Sequence, residues 1–292
     1  MKKEKDMENY TKITGFADEI AQELDIQTES LKKLDIHYVE MRGADGNNLI
    51  FHTDEKIKEI KKKLDDAGIA LSALGSPLGK IGIDEAFDPH FEEFKRACEI
   101  AHRMGTGNIR MFSFYVSDEQ RNSMKEEVFE RLGRFVDYAS GNGIVLLHEN
   151  EKGIYGEKAA ECRELMDEFA GEHFKAIFDF ANFVQAGQDT LEAYELLKDY
   201  IAYIHVKDAR KENGTVVPVG YGDGNVETIL KKLFEKGFDG FLSLEPHLFN
   251  FKGFAGLERG RDTVLADSGQ ALSGFEAFSL AHSALQDILK RI

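Results

Sequence analysis

The 292-residue chain contains no tryptophan, four prolines and two cysteines. The two cysteines, Cys98 and Cys162, form no CxxC pair, which argues against a disulfide framework or a thiolate zinc site; both fall in amphipathic helical patterns as buried thiols. No run approaches the roughly 18 consecutive apolar residues that a membrane-spanning helix needs. The opening MKKEKDMENY is charged and has no apolar core of a secretory signal, so a cytoplasmic location is the expectation. Basic residues are also short, with 37 Lys and Arg against 53 Asp and Glu and a formal net charge of -16. Such a balance repels phosphate backbones and anionic lipid, so neither nucleic acid nor membrane is an expected partner. No Pro-rich, Gly/Ser-rich or like-charge tract marks a linker, and one domain over residues 10–292 behind a charged tail at 1–9 is expected.

Against these absences stand eight short runs of apolar, β-branched or aromatic residues: ITGFA, YVEMR, IALSAL, NIRMFSF, IVLLHE, AIFDF, IAYIHV and FLSLE. Each precedes a segment that can be helical. The helical segments show a period of 3.6 with its punctuation: Thr53 opens DEKIKEIKKKLDDAG, Asp118 to Ala139 runs into GNG, and Asp189 or Thr190 opens LEAYELLKDY. Glycines 68, 105, 141, 171 and 237 stand where helices should end. Strands alternating with helices require right-handed parallel crossovers, which close as a barrel or spread as a doubly wound sheet. Polar residues mark the carboxyl ends of nearly every strand, from Glu40 and Arg42 to Glu245 and His247, rather than gathering at one switch point. The expected fold is therefore a single-domain (β/α)8 TIM barrel.

Four strand ends carry groups that suit a metal: Glu149 in LLHEN, Asp179 in AIFDFAN, His205 in YIHVKD and Glu245 in FLSLEPH. Side chains alternate along a strand, so all four can point inward at the top of a parallel barrel. Crowded buried carboxylates repel and lose hydration, and a divalent cation is the usual compensation. Each acid alone could instead be a helix cap or a rim ion pair. Oxygen-rich ligation with one imidazole suits Mn²⁺, Co²⁺ or Mg²⁺ better than a structural Zn²⁺, and which of these is physiological stays open.

Further candidates follow from strand parity. Lys207 and His247 lie two residues after His205 and Glu245, on the inward face, where substrate oxygens or a rim salt bridge could occupy them. Arg110 is costly to bury alone, so it pairs with an acid such as Glu40 or anchors an anionic substrate group. His148 alternates against Glu149 and is expected to pack towards the helices. Two glycine-containing loops, SPLGK with Lys80 and VGYGDGN after the seventh strand, are candidate phosphate sites, although a turn capped by Asp223 or Asn225 explains the second more simply. The segment from Phe249 to Gly274 is expected to cross the barrel mouth before a last helix. The Phe-rich stretches MFSFY and HLFNFKGFAG read mainly as core, with an apolar lid or dimer contact as the alternative.

Taken together, GFADEI, HENEKGIYG, FDFANFVQAG, IHVKDA with PVGYGDG, and SLEPHL resemble the xylose isomerase-like TIM barrels, of AP endonuclease family 2 type. These are the sugar phosphate isomerases and epimerases, with ketose 3-epimerases, inosose dehydratases and, more distantly, endonuclease IV. The resemblance spans roughly Ile13 to His247. It implies one divalent metal held by Glu149, Asp179, His205 and Glu245. It also implies an isomerase or epimerase of a sugar or sugar phosphate, in which Glu149 and Glu245 move a proton through a metal-bound enediolate. Where many ketose epimerases carry a His three residues after the metal-binding Asp, this chain has Asn182, and Arg210 and Lys211 are loose counterparts of an Arg beyond the His. Asn182, Lys207, His247, Arg110 and Glu40 are thus the candidate substrate contacts. An inosose dehydratase-like lyase is the alternative, and a barrel that binds a sugar or metal without turnover is a further one. An endonuclease would need a richer ligand set and a basic face. Substrate identity, its phosphorylation and homo-oligomerisation stay open.

Overall fold

Eight strands carry the architecture: β1 (Ile13–Gly15), β2 (Tyr38–Met41), β3 (Ala70–Gly75), β4 (Asn108–Met111), β5 (Val145–Glu149), β6 (Phe174–Asp179), β7 (Ile201–Val206) and β8 (Phe241–Leu244). The computed structural model describes residue 10 and residues 12–248 and 272–292. All eight strands join one sheet in the order β1-β8-β7-β6-β5-β4-β3-β2, and every pairing in it is parallel. The pairing of β1 with β8 brings the first strand beside the last, and β1 also packs against β2, so the sheet is a nearly closed barrel with helices between its strands. This is the (β/α)8 barrel expected from the alternation of strand and helix patterns.

The layers follow from side-chain parity. Outward residues such as Ile109, Leu146, Phe178, Ile204 and Leu242 join the helices in the large apolar core, each 0% exposed. Inward residues form a small plug of Ala73, Leu147, Ile177 and Tyr203, backed by Val145 and Phe241. One step up each strand, the inward positions become Glu149, Asp179 and His205, all buried. Thr14 Oγ1, Ser72 Oγ and the Tyr203 hydroxyl form a chain of 2.9 Å contacts between plug and polar layer.

The helices are α1 (Leu24–Lys33), α2 (Asp54–Ala67), α3 (Phe87–Met104), α4 (Lys125–Gly141), α5 (Ala159–Phe169), α6 (Phe180–Gln185), α7 (Thr190–Leu197), α8 (Val226–Glu235) and α9 (Gly274–Leu289). Thr53 caps α2 through Lys56 N–H, and Asp189 caps α7 through the N–H groups of Leu191 and Glu192. Gly68 and Gly105 end α2 and α3 in left-handed conformation.

Three local expectations need correction. The helix expected from Asp118 starts only at Lys125, because Arg121 turns to donate to the carbonyls of Ile154 and Tyr155, tying the preceding turn to the loop after β5. Gly141 is the last residue of α4, and the left-handed residue is Gly143. Beyond α5 the chain leaves through an extended Ala170, so Gly171 provides no left-handed cap. Cys98 in α3 and Cys162 in α5 are buried free thiols as expected. Residues 249–271 of the expected mouth-crossing segment, and with them most of HLFNFKGFAG, lie outside the described residues, as does the expected 1–9 tail; Ser273 and Gly274 already belong to the start of α9. No helix among the described residues is long and apolar enough to cross a membrane.

Candidate metal centre and active site

His205, 0% exposed at the top of β7, is where the strand ends converge. Its Nδ1 lies 3.0 Å from Glu149 Oε1, 3.5 Å from Glu245 Oε2 and 3.9 Å from Asp179 Oδ2. The ring stands edge-on to Phe16 and Tyr203. Its other nitrogen faces Glu40 Oε2 at 3.2 Å, and Ser243 Oγ donates to that same oxygen at 2.6 Å. Glu40 thus sits behind the imidazole and fixes which nitrogen turns to the carboxylates. It is held below the usual carboxylate range: burial pushes it up, but His205, Arg110 and Ser243 together outweigh burial.

Glu149, Asp179, His205 and Glu245 each offer one ligand atom, and these atoms lie within 4.8 Å of one another. Asp179 also starts α6, its Oδ1 accepting Asn182 N–H at 2.7 Å. Asp179 Oδ2 is buried and accepts no hydrogen bond of good geometry, although Lys207 Nζ lies 3.1 Å away as an ion pair. Burial pushes the Asp179 carboxyl up to about 7, with Lys207 opposing and Glu245 and Glu149 adding to the rise. A buried carboxylate oxygen that accepts no hydrogen bond of good geometry, in a set of three carboxylates and one imidazole, fits a hard or borderline divalent cation.

Cations compensate the acids on every side. Lys207 Nζ bridges Asp179 Oδ2 and Glu245 Oε2 at 3.1 Å each. Burial alone would lower the Lys207 ammonium, but Asp179 and Glu245 hold it well above its usual range, so it stays charged. Glu245 is held well below the carboxylate range, the effect of burial being outweighed by Lys207 and then by the two histidines. Arg110 reaches Glu149 Oε2 at 3.3 Å and the Ser76 carbonyl at 3.3 Å, with its guanidinium over the Phe16 and Phe112 rings. Its direct acid partner is therefore Glu149 rather than the expected Glu40. Arg110 pairs in register with Leu147 of neighbouring β5, and Glu149 follows two residues on, on the same face. Asn182 Nδ2 donates to Glu149 Oε1 at 3.3 Å and to the Asn150 carbonyl at 2.9 Å. His247, in a left-handed backbone, lies 3.3 Å from both Glu19 Oε1 and Glu245 Oε1.

All the expected site residues thus meet at one end of the barrel. Their immediate contacts are largely with one another. Arg42, Glu19 and Glu151, absent from the expected set, join them, and so does Lys80 of the SPLGK loop. Arg42 is buried and holds Asp18 at 2.8 Å, with Glu19 and Glu245 at 3.6 and 3.7 Å. Glu19 accepts His247 N–H, and burial pushes it up to about 8 against the pull of Arg42. Lys80 pairs with Glu151 at 3.0 Å. Glu19 lies within the GFADEI motif, which was the available signal; the Lys80–Glu151 pair joins segments 71 residues apart and has no local signature. His148 turns away from the cluster as expected, meeting Ser113 Oγ at 3.0 Å beside Phe174.

The SPLGK and VGYGDGN loops do not present open phosphate cradles. Gly79 N–H is taken by His90 Nε2 at 2.8 Å. In the second loop, the N–H groups of Gly220, Gly222 and Gly224 all donate to the Asp208 carboxylate at 2.9, 3.0 and 2.9 Å. Asn225, at the start of α8, adopts a left-handed conformation and makes no side-chain cap.

Comparison with known proteins agrees with the barrel fold. The model of the family described as xylose isomerase-like TIM barrel matches residues 29–266. An inosose dehydratase of Clostridium perfringens is 26% identical over 148 residues, covering 45% of this chain and 49% of that protein. The chain spans about half the length of the curated relatives it matches. Among solved structures, IOLI protein with a bound zinc atom superposes with a TM-score of 0.72 at 16% identity, over 96% of this chain and 98% of that one. The 3-keto-D-glucoside 4-epimerase YcjR of E. coli gives 0.66 at 15% identity, over 94% and 97%. At these identities the structures speak for the fold.

Proposed function

We propose that this chain, which belongs to the xylose isomerase-like TIM barrel family, is a divalent-metal-dependent isomerase or epimerase of a small polyhydroxylated carbonyl compound. The observation that carries the proposal is the approach of two glutamates, one from β5 and one just past β8, to the same His205 Nδ1 at 3.0 and 3.5 Å, with Asp179 beside them. Glu149, Asp179, His205 and Glu245 would hold the cation. When bound, it supplies Lewis-acid polarisation of the carbonyl next to the carbon that loses its proton.

The chain's own residues account for the rest. One glutamate, as the carboxylate, removes the proton from the carbon beside the carbonyl, leaving an enediolate, and the other, entering the cycle in its acid form, returns its proton to the opposite face. Lys207 stands between Asp179 and Glu245 and balances their negative charge. Arg110 and Asn182 fix the two oxygens of Glu149. Burial of all these groups excludes water, which strengthens their electrostatic effect.

The likeness to inosose dehydratase favours a second reading. The same proton is removed, a neighbouring C–O bond breaks, and the departing hydroxyl leaves as water with a proton from the second glutamate. The test is a panel of ketoses and inososes in D₂O with added Mn²⁺, read by NMR and mass. Deuterium beside the carbonyl without loss of mass supports the first reading, and a product lighter by one water supports the second. A stoichiometrically bound metal with neither outcome would overturn both and indicate a binding barrel.

A further inference from the structure

We infer that the glycine-rich loop between β7 and α8 is an anion cup that the chain fills with its own Asp208, and that the substrate of the neighbouring site carries no phosphate, an assignment that rests on the proton-transfer reading for its substrate. Asp208 follows Lys207 directly and is 1% exposed. Its Oδ1 accepts the N–H groups of Ala209 and Gly224, both at 2.9 Å, and its Oδ2 accepts those of Gly220 and Gly222 at 2.9 and 3.0 Å. Four converging backbone donors make a concavity of the kind that binds phosphate in many barrels. Both oxygens accept twice and neither meets an acceptor, so the group sits there as a carboxylate. Burial does raise its pKa, and the four amides oppose the rise.

The glycines are matched to this occupant. A Cβ on Gly222 would lie 2.3 Å from Asp208 Oδ1, and one on Gly224 would lie 2.7 Å from the same atom. The spacing that resembles a phosphate loop is therefore required by an internal carboxylate. Gly224 also packs on Phe180, the residue after Asp179, and Asp208 directly follows Lys207, so the cup adjoins the two strand ends that carry part of the cluster.

Among the described residues, the buried anchors for a phosphate near the mouth are likewise committed. Gly79 N–H bonds His90, Lys80 pairs with Glu151, Arg110 with Glu149, Arg42 with Asp18, and Lys207 with Asp179 and Glu245. A dianionic group that engaged one of these buried cations would have to break its pair, which is costly because the abandoned charge stays buried. A neutral polyhydroxylated substrate needs no such exchange.

The experiment is an amide NMR titration of the full chain with inorganic phosphate, following Gly220, Gly222 and Gly224. No phosphate-dependent shift is expected in the wild type or in Asp208→Asn, where the cup remains filled. In Asp208→Ala, phosphate or formate should shift all three amides, with Asp208→Ser as the second variant if the first does not fold. Shifts in the wild type, or none in the emptied variant, would overturn the assignment. Free ketoses should then exchange deuterium faster than their phosphate esters, and the reverse order would also overturn it. Exchange with neither would count against the proton-transfer reading alone, leaving the amide titration to decide the cup.

Discussion

Glu149 and Glu245 owe their positions to strand parity and their state to their neighbours. Replacing either by Gln keeps the shape and removes the base, so Glu149→Gln and Glu245→Gln should each lower deuterium exchange by about 10²–10⁴-fold, with circular dichroism unchanged. Exchange at the wild-type rate in either variant would remove the two-glutamate mechanism. Glu40 makes a different prediction, because it touches His205 from behind. Glu40→Gln should weaken metal binding by about 10–100-fold in a calorimetric titration. At this scale the four ligand candidates were legible, since each stands at a strand end. That Glu40 would face His205 was not, because its distance across the barrel depends on which strands face one another.

At the scale of elements, local chemistry explains starts and stops. Asp189 satisfies two N–H groups at the start of α7, and Asp189→Ala should cost about 1 kcal/mol, seen as a lower urea midpoint with an unchanged m-value. The turn after β3 is secured by α3, through His90 accepting Gly79 N–H while its Nδ1 faces Glu93 at 2.9 Å. His90 is therefore neutral in the fold, and burial lowers its pKa while Glu93 pulls it back up. A lowered folded pKa means that the unfolded chain takes up the proton first. Stability should thus be full above the unfolded value of about 6.5 and fall as pH drops below it, by up to about 1.4 kcal/mol per pH unit. The loss between pH 7 and pH 5 should be smaller in His90→Gln, and an equal loss would show that His90 does not titrate with unfolding. Capping by Thr53 and Asp189 was legible because a cap acts within three residues. The late start of α4 was not, because Arg121 bonds carbonyls more than 30 residues away.

For the molecule as a whole, a cation held as proposed by the acids crowded at the barrel mouth should raise stability. A metal that binds only the folded state stabilises it by about 2.7 kcal/mol at a hundred times its dissociation constant. Adding Mn²⁺ to chelator-treated protein should raise the melting temperature, and Asp179→Asn should lose most of that increment. An equal rise in the variant would place the metal elsewhere. The barrel itself was legible from eight strand patterns each followed by a helical one, together with polar residues at strand ends.

The sequence by itself determined the alternation of strands and helices, the inward parity of Glu149, Asp179, His205 and Glu245, and the caps at Thr53, Gly68, Gly105 and Asp189, because these depend on periods and contacts a few residues long. Only the tertiary structure decided the partners. It paired Arg110 with Glu149, stood Lys207 between Asp179 and Glu245, joined Lys80 to Glu151 and seated Asp208 among three glycines of a later loop. The physical reason is that closure into a barrel brings strand ends distant in sequence to within a few ångströms. Buried charges then choose partners by distance across that ring, which a local pattern does not encode.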